Sequence, residues 1–361
     1  MTANLDYFSI LVLGVSALCS AEASENQWRS ECVGRLLVDL PGNASVAGIS
    51  PAVFREELLR PSQSIPFEFP DGQRASGVRL LYKGELLISN KLDDAQKDSI
   101  GTAFAISREA VERRLAQQRT DGAGISKVEV LAGLPHGSRA WYTESSVRLL
   151  VNIGEHVLFT RLAAAPGEPS SSEMARRFAN NISYRPIFHI PAQAGLCLPH
   201  AFIGDVDPGI RNVAAMYKLV DHPDVTIYLK DSNAASYEGK VRALNAEPKR
   251  VNENFWAQYQ LGDSVKHIVS IEKSDVHFSS FSGPANGFAS IAQIVRKTGE
   301  RDFGYIGVHR GDPARKDSVD VELVILTNAD VAKSRGIVPV SKVYFLELVR
   351  RLSATLRFKE K

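Results

Sequence analysis

The residues in this sequence that are best placed to take part in a chemical reaction are two cysteines in similar surroundings. Cys32 lies in ECVGRLLVDLP and Cys197 lies in GLCLPHAFIGDVDP. In both stretches the cysteine stands at the entry to an apolar segment that predicts a strand. An aspartate follows seven or eight positions later, at Asp39 and Asp205, and a proline comes soon after it. Two such thiols can join in a disulfide, or they can stay unpaired as small buried apolar side chains. An oxidising compartment favours the disulfide.

The N-terminus predicts export to such a compartment. Residues 8–18 form an apolar run of signal-peptide length, which is too short to span a bilayer. The tripeptide at 21–23, Ala-Glu-Ala, fits a cleavage site, so residues 1–23 are predicted as a signal peptide, although no lysine or arginine precedes the run. The alternative is a buried N-terminal strand or helix. Cleavage removes Cys19 and leaves an even number of cysteines, and we expect no stable membrane insertion.

Catalytic motifs are absent from the sequence. It has no G-x-S-x-G nucleophile elbow, no H-E-x-x-H zinc helix and no glycine-rich phosphate loop. The eight histidines occur singly, and no local spacing suggests a metal site. An exported hydrolase would have to assemble a nucleophile and a base from residues such as Asp121, His136 and Ser138. We therefore predict a protein without enzymatic activity, cofactor or metal.

Two loops with aromatic residues are the better candidates for a binding surface. PFEFPDG carries Phe67 and Phe69 in the first half, and FSSFSGPANGF carries Phe281 and Phe288 in the second. Exposed aromatic side chains on loops are typical of recognition surfaces. We predict that these four phenylalanines contact a protein partner. The alternative is that they close the edge of each hydrophobic core.

Composition and length limit the class of protein further. The chain has 361 residues, of which 44% are hydrophobic and 23% charged, and its formal net charge is +2. This charge is too small to indicate a nucleic-acid partner, and basic residues do not alternate with aromatic ones in any stretch. The length predicts two domains.

The first half of the sequence predicts strands, then a helix, then more strands and then a second helix. GVRLLYKGELLIS predicts a hairpin that turns at Lys83, and a long helix is predicted over 94–119. A second hairpin is predicted to turn within 152–155, and a short helix is predicted over 170–180, where Ser170 and Glu173 form a capping box. This order indicates an α+β domain with a largely antiparallel sheet.

The second half repeats this order after a proline-containing segment, residues 183–194, that reads as a linker. Segments of alternating hydrophobicity predict strands, and they are VTIYLK, NFWAQYQ, KHIVSIEK, GFASIAQIVRK, DFGYIGVHR and DSVDVELVIL. A last helix is predicted over 341–356 with Ser341 as its N-cap. We thus predict an α+β protein with two similar-sized domains, 24–182 and 195–361.

The chain resembles the two-domain immunity proteins of type VI secretion lipase effectors. The resemblance rests on the leader, the strand around Cys32 that opens the first domain, and the strand around Cys197 that opens the second. It covers nearly all of the mature chain. It implies a periplasmic protein that binds a cognate phospholipase and blocks it. We predict a heterodimer in which loops from both domains contact the lipase at its active-site mouth or lid. The alternative is a periplasmic protein that binds a lipid or solute without catalysis.

Overall fold

The computed structural model of the chain describes residues 27–62, 65–120, 127–143, 146–163, 171–204, 211–233, 247–275, 287–312 and 318–359. The predicted signal peptide and Phe281 lie outside these ranges.

The first half contains the predicted strands and helices in order, together with one helix, α1, that was not predicted. Its strands are β1 (Trp28–Val33), β2 (Leu36–Pro41), β3 (Ala44–Val46), β4 (Phe67–Glu68), β5 (Arg74–Ala75), β6 (Arg79–Tyr82), β7 (Gly84–Ile88), β8 (Glu129–Leu131), β9 (Arg139–Tyr142), β10 (Ser146–Ile153), β11 (His156–Ala163) and β12 (Ile182–Tyr184). Its helices are α1 (Pro51–Leu59), α2 (Asp94–Thr120) and α3 (Ser171–Asn181). The predicted hairpin turn at Lys83 is confirmed by its left-handed φ of 54°.

The second half contains one element that the sequence analysis assigned wrongly. Its strands are β13 (Leu196–Leu198), β14 (Ala201–Ile203), β15 (Arg211–Leu219), β16 (Val225–Asn233), β17 (Val265–Asp275), β18 (Gly287–Arg296), β19 (Arg301–His309), β20 (Val319–Thr327) and β21 (Arg357–Phe358). Its helices are α4 (Pro248–Gln260), α5 (Ala329–Ser334) and α6 (Lys342–Thr355). NFWAQYQ, predicted as a strand, belongs to α4, because its aromatic residues recur at helical spacing and pack on a sheet.

Strands from both halves form one large antiparallel sheet. Within the described residues its order is β17-β18-β19-β20-β16-β15-β6-β7-β11-β10-β9-β8, and β3 also pairs with β15. The halves meet where β6 pairs with β15, with Leu80 opposite Val213. The α+β class and the antiparallel sheets are confirmed. The domain boundaries stay a prediction, and the segment predicted as a linker includes part of strand β12.

Alternating apolar residues supply the core, also in the separate three-stranded sheet of β1, β2 and β21. Leu36, Val38 and Leu40 of β2 are all fully buried, as their spacing on one face of a strand predicts. The main core cluster contains buried residues from both halves of the chain, and a smaller cluster around Trp256 lies between α4 and strands β18 to β20. No helix in the described part is both long enough and apolar enough to cross a membrane.

The hairpin of β1 and β2 is the point where distant segments are fastened together. Cys32 forms a disulfide with Cys197 across 165 positions of sequence, with the Cα atoms 5.7 Å apart. Beside it, Gly34 N–H donates to Cys197 O at 2.7 Å and Cys197 N–H donates to Gly34 O at 2.8 Å. At the other end of the chain, β21 pairs with β2. The N-terminal hairpin therefore holds the second half of the chain in place.

Two buried ion pairs flank the disulfide. Glu31 and Arg185, which are 0% and 1% exposed, approach to 2.6 Å, and Arg185 also donates to Leu198 O at 2.9 Å. On the other side, Asp231 accepts from Arg211 Nε at 3.0 Å and from the backbone N–H of Arg35 at 2.7 Å. Buried charges remain ionised only when they are paired and hydrogen-bonded in this way. The Arg211–Asp231 pair lies within the second half, and the bond from Arg35 to Asp231 ties it to the N-terminal hairpin.

We predict that replacing both Cys32 and Cys197 with alanine lowers the free energy of unfolding by about 2–5 kcal/mol, because the bridge restricts a very long loop in the unfolded chain. Urea unfolding of the oxidised protein and of the double variant measures this difference. Dithiothreitol provides the control, because it should destabilise the wild type and leave the double variant unchanged. Equal stability of both proteins under oxidising conditions would contradict the prediction.

Gly34 provides a second test of the same junction. Its φ is +61°, and a Cβ atom there would lie 2.6 Å from the Cβ atom of buried Asp231. Gly72 has a φ of +82° but no atom within 4 Å of such a Cβ. Both alanine variants incur the left-handed backbone cost of about 1–2 kcal/mol, and only Gly34→Ala adds a clash of about 1–3 kcal/mol. Chemical denaturation should rank Gly34→Ala as the less stable variant, and the reverse ranking would contradict this account.

Candidate functional site

A groove crosses the sheet between the two halves of the chain. Its volume is about 710 Å³. Helix α4 forms one wall, residues 73–77 of the first half contribute to the opposite wall, and strands β16, β19 and β20 form the floor. Apolar and aromatic side chains line its middle, and they include Tyr228, Phe255, Ile306, Val324 and Leu326.

Helix α4 is fixed in place by one buried chain of hydrogen bonds. Trp256 Nε1 donates to Ser290 Oγ at 2.6 Å, and this hydroxyl donates to Asn252 Oδ1 at 2.7 Å. The amide nitrogen of Asn252 then donates to Ile306 O at 3.1 Å. Gly304 gives the indole room, because a Cβ atom there would lie 2.6 Å from Trp256 Cη2. This wall of the groove is therefore rigid.

The opposite wall is anchored by charges from the second half. Asp71, in the turn between β4 and β5, pairs with Lys218 of β15 and with Arg335 after α5. Burial raises the pKa of the Asp71 carboxyl, but hydrogen bonds from both cations lower it to about 2. Further along the wall, Gly77 lies against Tyr228, with 3.3 Å between its ideal Cβ position and the ring. The loop of the first half is thus positioned by the second half.

Two of the charged groups that line the groove, Arg296 and Glu322, are neutralised by partners on this chain. Arg296 pairs with Asp302 and donates to Tyr259 Oη at 3.1 Å. Burial opposes ionisation of Glu322, but Lys230 and Arg310, both 3.1 Å away, hold its pKa below the ordinary value. These ion pairs stabilise the groove, and because each charge is already compensated within the protein, none of them requires a charged ligand.

Asp224 differs from these residues. Its side chain is 2% exposed and lines one end of the groove. Oδ2 accepts from the backbone N–H of Val340 at 3.1 Å, whereas Oδ1 has no hydrogen-bond partner within the described structure. A buried carboxylate oxygen without a donor is costly, so this end of the groove is suited to a donor group from a bound molecule. The middle is suited to apolar side chains.

Two of the predicted contact residues are buried. Phe67 and Phe69 are 6% and 1% exposed, so the prediction that these aromatic side chains are exposed is wrong. The reason is a pair of backbone bonds between Gly48 and Glu68, at 3.0 Å and 2.8 Å, which draw the loop onto the core. Lys218 covers the ring of Phe69 at 4.5 Å. Both phenylalanines therefore close the core edge, the alternative left open by the sequence.

The other predicted site residues have mixed outcomes. Cys32 and Cys197 form the predicted disulfide. Phe288 is half-buried on β18, and Phe281 lies outside the described residues, so a contact with a partner stays a prediction for both. Within the described ranges, no group of three or more acidic, histidine or cysteine residues could hold a metal ion. Asp121 also lies outside those ranges, which leaves the hydrolase alternative untested.

Sequence reasoning missed the groove itself. Phe255 and Tyr259 were assigned to a strand, which hid the fact that they share one face of a helix. The recurrence of apolar residues at 251, 255 and 259 was the available signal. Nothing in the sequence indicated that residues 73–77 would face this helix, because their approach depends on the pairing of β6 with β15.

Comparison with solved structures identifies proteins of the same fold. The apo structure of the immunity protein TplEi of the type VI secretion system from Pseudomonas aeruginosa matches with a TM-score of 0.51 and 16% identity, covering 92% of this chain and 97% of that one. A chain of the Tle4–Tli4 complex matches with a TM-score of 0.51 and 15% identity, over the same shares. No protein-family model and no curated protein sequence matches. The chain therefore shares the fold of these proteins.

Two histidines that the sequence analysis treated as isolated are stacked on each other. His156 at the start of β11 and His200 between β13 and β14 lie with ring centroids 3.9 Å apart. His156 Nδ1 is 2.9 Å from Ser89 O. Burial lowers the pKa of both rings, and His156 and Arg185 further lower that of His200, to about 3. Both rings are therefore held neutral in the folded protein.

This pair predicts a loss of stability in acid. Unfolded histidine titrates near pH 6.5, whereas folded His200 stays neutral down to about pH 3. Between these two values the unfolded chain binds a proton that the folded protein does not bind. The free energy of unfolding therefore decreases as the pH is lowered, by up to about 1.4 kcal/mol per pH unit. His200→Asn should reduce this slope, because asparagine tolerates the φ of +57° there. His267→Asn, at an exposed position, is the control. Equal slopes for all three proteins in urea unfolding would contradict the prediction.

Proposed function

We propose that this chain is an immunity protein that binds and inhibits a cognate type VI secretion lipase effector in the periplasm. The shared fold with TplEi, an immunity protein, over 92% of this chain supports the proposal. The sequence resemblance around Cys32 and Cys197 supports it independently, as does the predicted signal peptide. A buried disulfide is also typical of proteins that work in an oxidising compartment.

The observation that carries the proposal is the groove between α4 and residues 73–77. From Glu322 to Thr327 its floor follows β20 for about 17 Å, which corresponds to about three turns of helix. Walls from both halves of the chain are anchored by buried or paired groups, so the groove is organised before binding. Preorganised surfaces lose little conformational entropy on binding, which favours tight inhibition.

We infer that a segment of the effector near its active-site mouth or lid occupies this groove. Its apolar side chains would pack on Tyr228, Val324 and Leu326 in the middle of the floor. A lysine, an arginine or a backbone N–H at the end of the segment would donate to Asp224 Oδ1. Occupation of this kind inhibits the lipase by holding the mouth covered, and it requires no catalytic group on this chain.

A periplasmic lipid- or solute-binding protein is the second candidate function. The volume of the groove, about 710 Å³, lies within the range of small-molecule sites. Its apolar middle would also accept an acyl chain. If the protein is an immunity protein, the groove variants described below should lose binding of the effector. If it is a lipid- or solute-binding protein, they should lose binding of that small molecule.

The test begins with the wild-type mature protein and a candidate type VI secretion lipase effector from the same organism. We expect the two to co-purify as a heterodimer and phospholipase activity to fall to background at equimolar ratio. Failure of the wild-type protein to bind or inhibit the lipase would disprove the immunity function. Extraction and mass spectrometry of a tightly bound lipid from the protein alone would favour the second candidate.

Arginine substitutions then test the groove as the contact surface. Gln258→Arg on α4 and Ser76→Arg on the opposite wall each add bulk and charge at an exposed position that lines the groove. Gln260→Arg is a matched control, because Gln260 is exposed on the same helix and does not line the groove. We expect both groove variants to weaken effector binding at least about tenfold, a loss of 1.4 kcal/mol. Wild-type affinity in both would place the contact elsewhere and leave the immunity function standing.

A further inference from the structure

Asp224 continues the floor of the groove at its polar end. Thr226 and Tyr228 of β16 both line the groove, and Asp224 lies two positions before Thr226, in step with the alternation that directs side chains to one face of a sheet. Thr226 is directly opposite Leu326 of β20. The floor therefore changes from a carboxylate and a hydroxyl at this end to apolar side chains in the middle.

The carboxylate of Asp224 is held firmly but is only half used. Oδ2 accepts from the backbone N–H of Val340 at 3.1 Å, and the backbone oxygen of Asp224 accepts from the N–H of Asn328 at 2.8 Å. Among the residues that the structure describes, none donates to Oδ1 and no basic side chain forms an ion pair with Asp224. An uncompensated charge that is only 2% exposed is costly, so a bound cation would be favoured here.

The geometry selects among the donors that can reach Oδ1. A backbone N–H is neutral and would leave the negative charge uncompensated. A guanidinium binds a carboxylate best through two parallel bonds, one to each oxygen, and Val340 already occupies Oδ2. The ammonium group of lysine is a compact charge on a flexible stem of four carbons, so it can enter a narrow end and bind one oxygen.

We propose that Asp224 is a specificity-determining residue that binds the ammonium group of a lysine in the effector segment. This inference rests on the proposed function, because the effector supplies the lysine. The stem of the lysine lies on Leu326, and the side-chain oxygens of Thr226 and Asn328, which line the same end, can accept its other N–H bonds. A segment without this lysine leaves Asp224 buried and unpaired, and is bound less tightly.

Asp224→Asn tests the contact with almost no change in shape. The asparagine oxygen can still accept from Val340, but an amide nitrogen replaces the oxygen that would accept from the ammonium group. We expect binding of the effector to weaken at least about tenfold. Asp221→Asn is the matched control for loss of one negative charge, because Asp221 is exposed three positions earlier and does not line the groove. It should bind the effector like the wild type.

Urea unfolding without the effector separates a binding role from a structural one. Asp224→Asn should unfold at the wild-type urea concentration or above it, because the substitution removes an uncompensated buried charge. A lower unfolding midpoint would show that Asp224 serves the fold, and it would overturn the proposal.

A small probe tests the same contact without the effector. Thermal unfolding of the full mature chain is followed in hexylammonium chloride, with sodium chloride of equal ionic strength plus hexanol as the uncharged comparison. We expect hexylammonium to raise the Tm above the value in hexanol for the wild type but not for Asp224→Asn. Equal responses of the two proteins would overturn the proposal, and an equal effect of hexylguanidinium would overturn the choice of lysine.

Failure of this proposal is distinguishable from failure of the proposed function. If the wild type inhibits the effector and Asp224→Asn binds it equally well, the immunity function stands and the role of Asp224 is disproved. If the wild type does not bind the effector, the immunity function fails and the lysine has no source, whatever the response to hexylammonium.

Discussion

The cross-linking of the N-terminal hairpin to the second half of the chain is the constraint on which the rest of the structure depends. The disulfide between Cys32 and Cys197 joins segments 165 positions apart, and the buried pair of Glu31 with Arg185 lies directly beside it. Breaking one partner of a buried ion pair leaves an uncompensated charge, which is far more costly than the pair is stabilising. Misassembled halves are therefore strongly disfavoured, and one arrangement is specified.

Correct assembly of the halves in turn creates the groove. The pairing of β6 with β15 makes one sheet of both halves, so that a loop from one half faces a helix from the other across a common floor. Asp71 holds the loop through Lys218, and Trp256 holds the helix through Ser290. A site built between sequence-distant segments on a continuous sheet has little freedom to open or close. Such rigidity suits an inhibitor, which gains affinity when little order is lost on binding.

A buried charge that has an opposite charge beside it serves the fold, whereas a buried charge without one is available to a ligand. Most buried charges in the described structure meet an opposite charge, as Arg211 meets Asp231 and Arg296 meets Asp302. Asp224 departs from this pattern, and it lies in the groove. Since uncompensated charge is expensive in the free protein, it is informative about what the protein binds.

The sequence by itself determined the α+β class and most strand and helix positions, because these follow from local periodicity and turn residues. It left Cys32 and Cys197 open between a disulfide and two unpaired thiols, and the tertiary structure decided for the disulfide. It failed for α4, whose aromatic residues suit a strand equally well until the sheet beneath them is known. It also failed for Phe67 and Phe69, which backbone bonds to Gly48 turn inward. Only the tertiary structure decided the groove and the surroundings of Asp224, because both are defined by neighbours far away in the chain, and periodicity carries no record of such contacts.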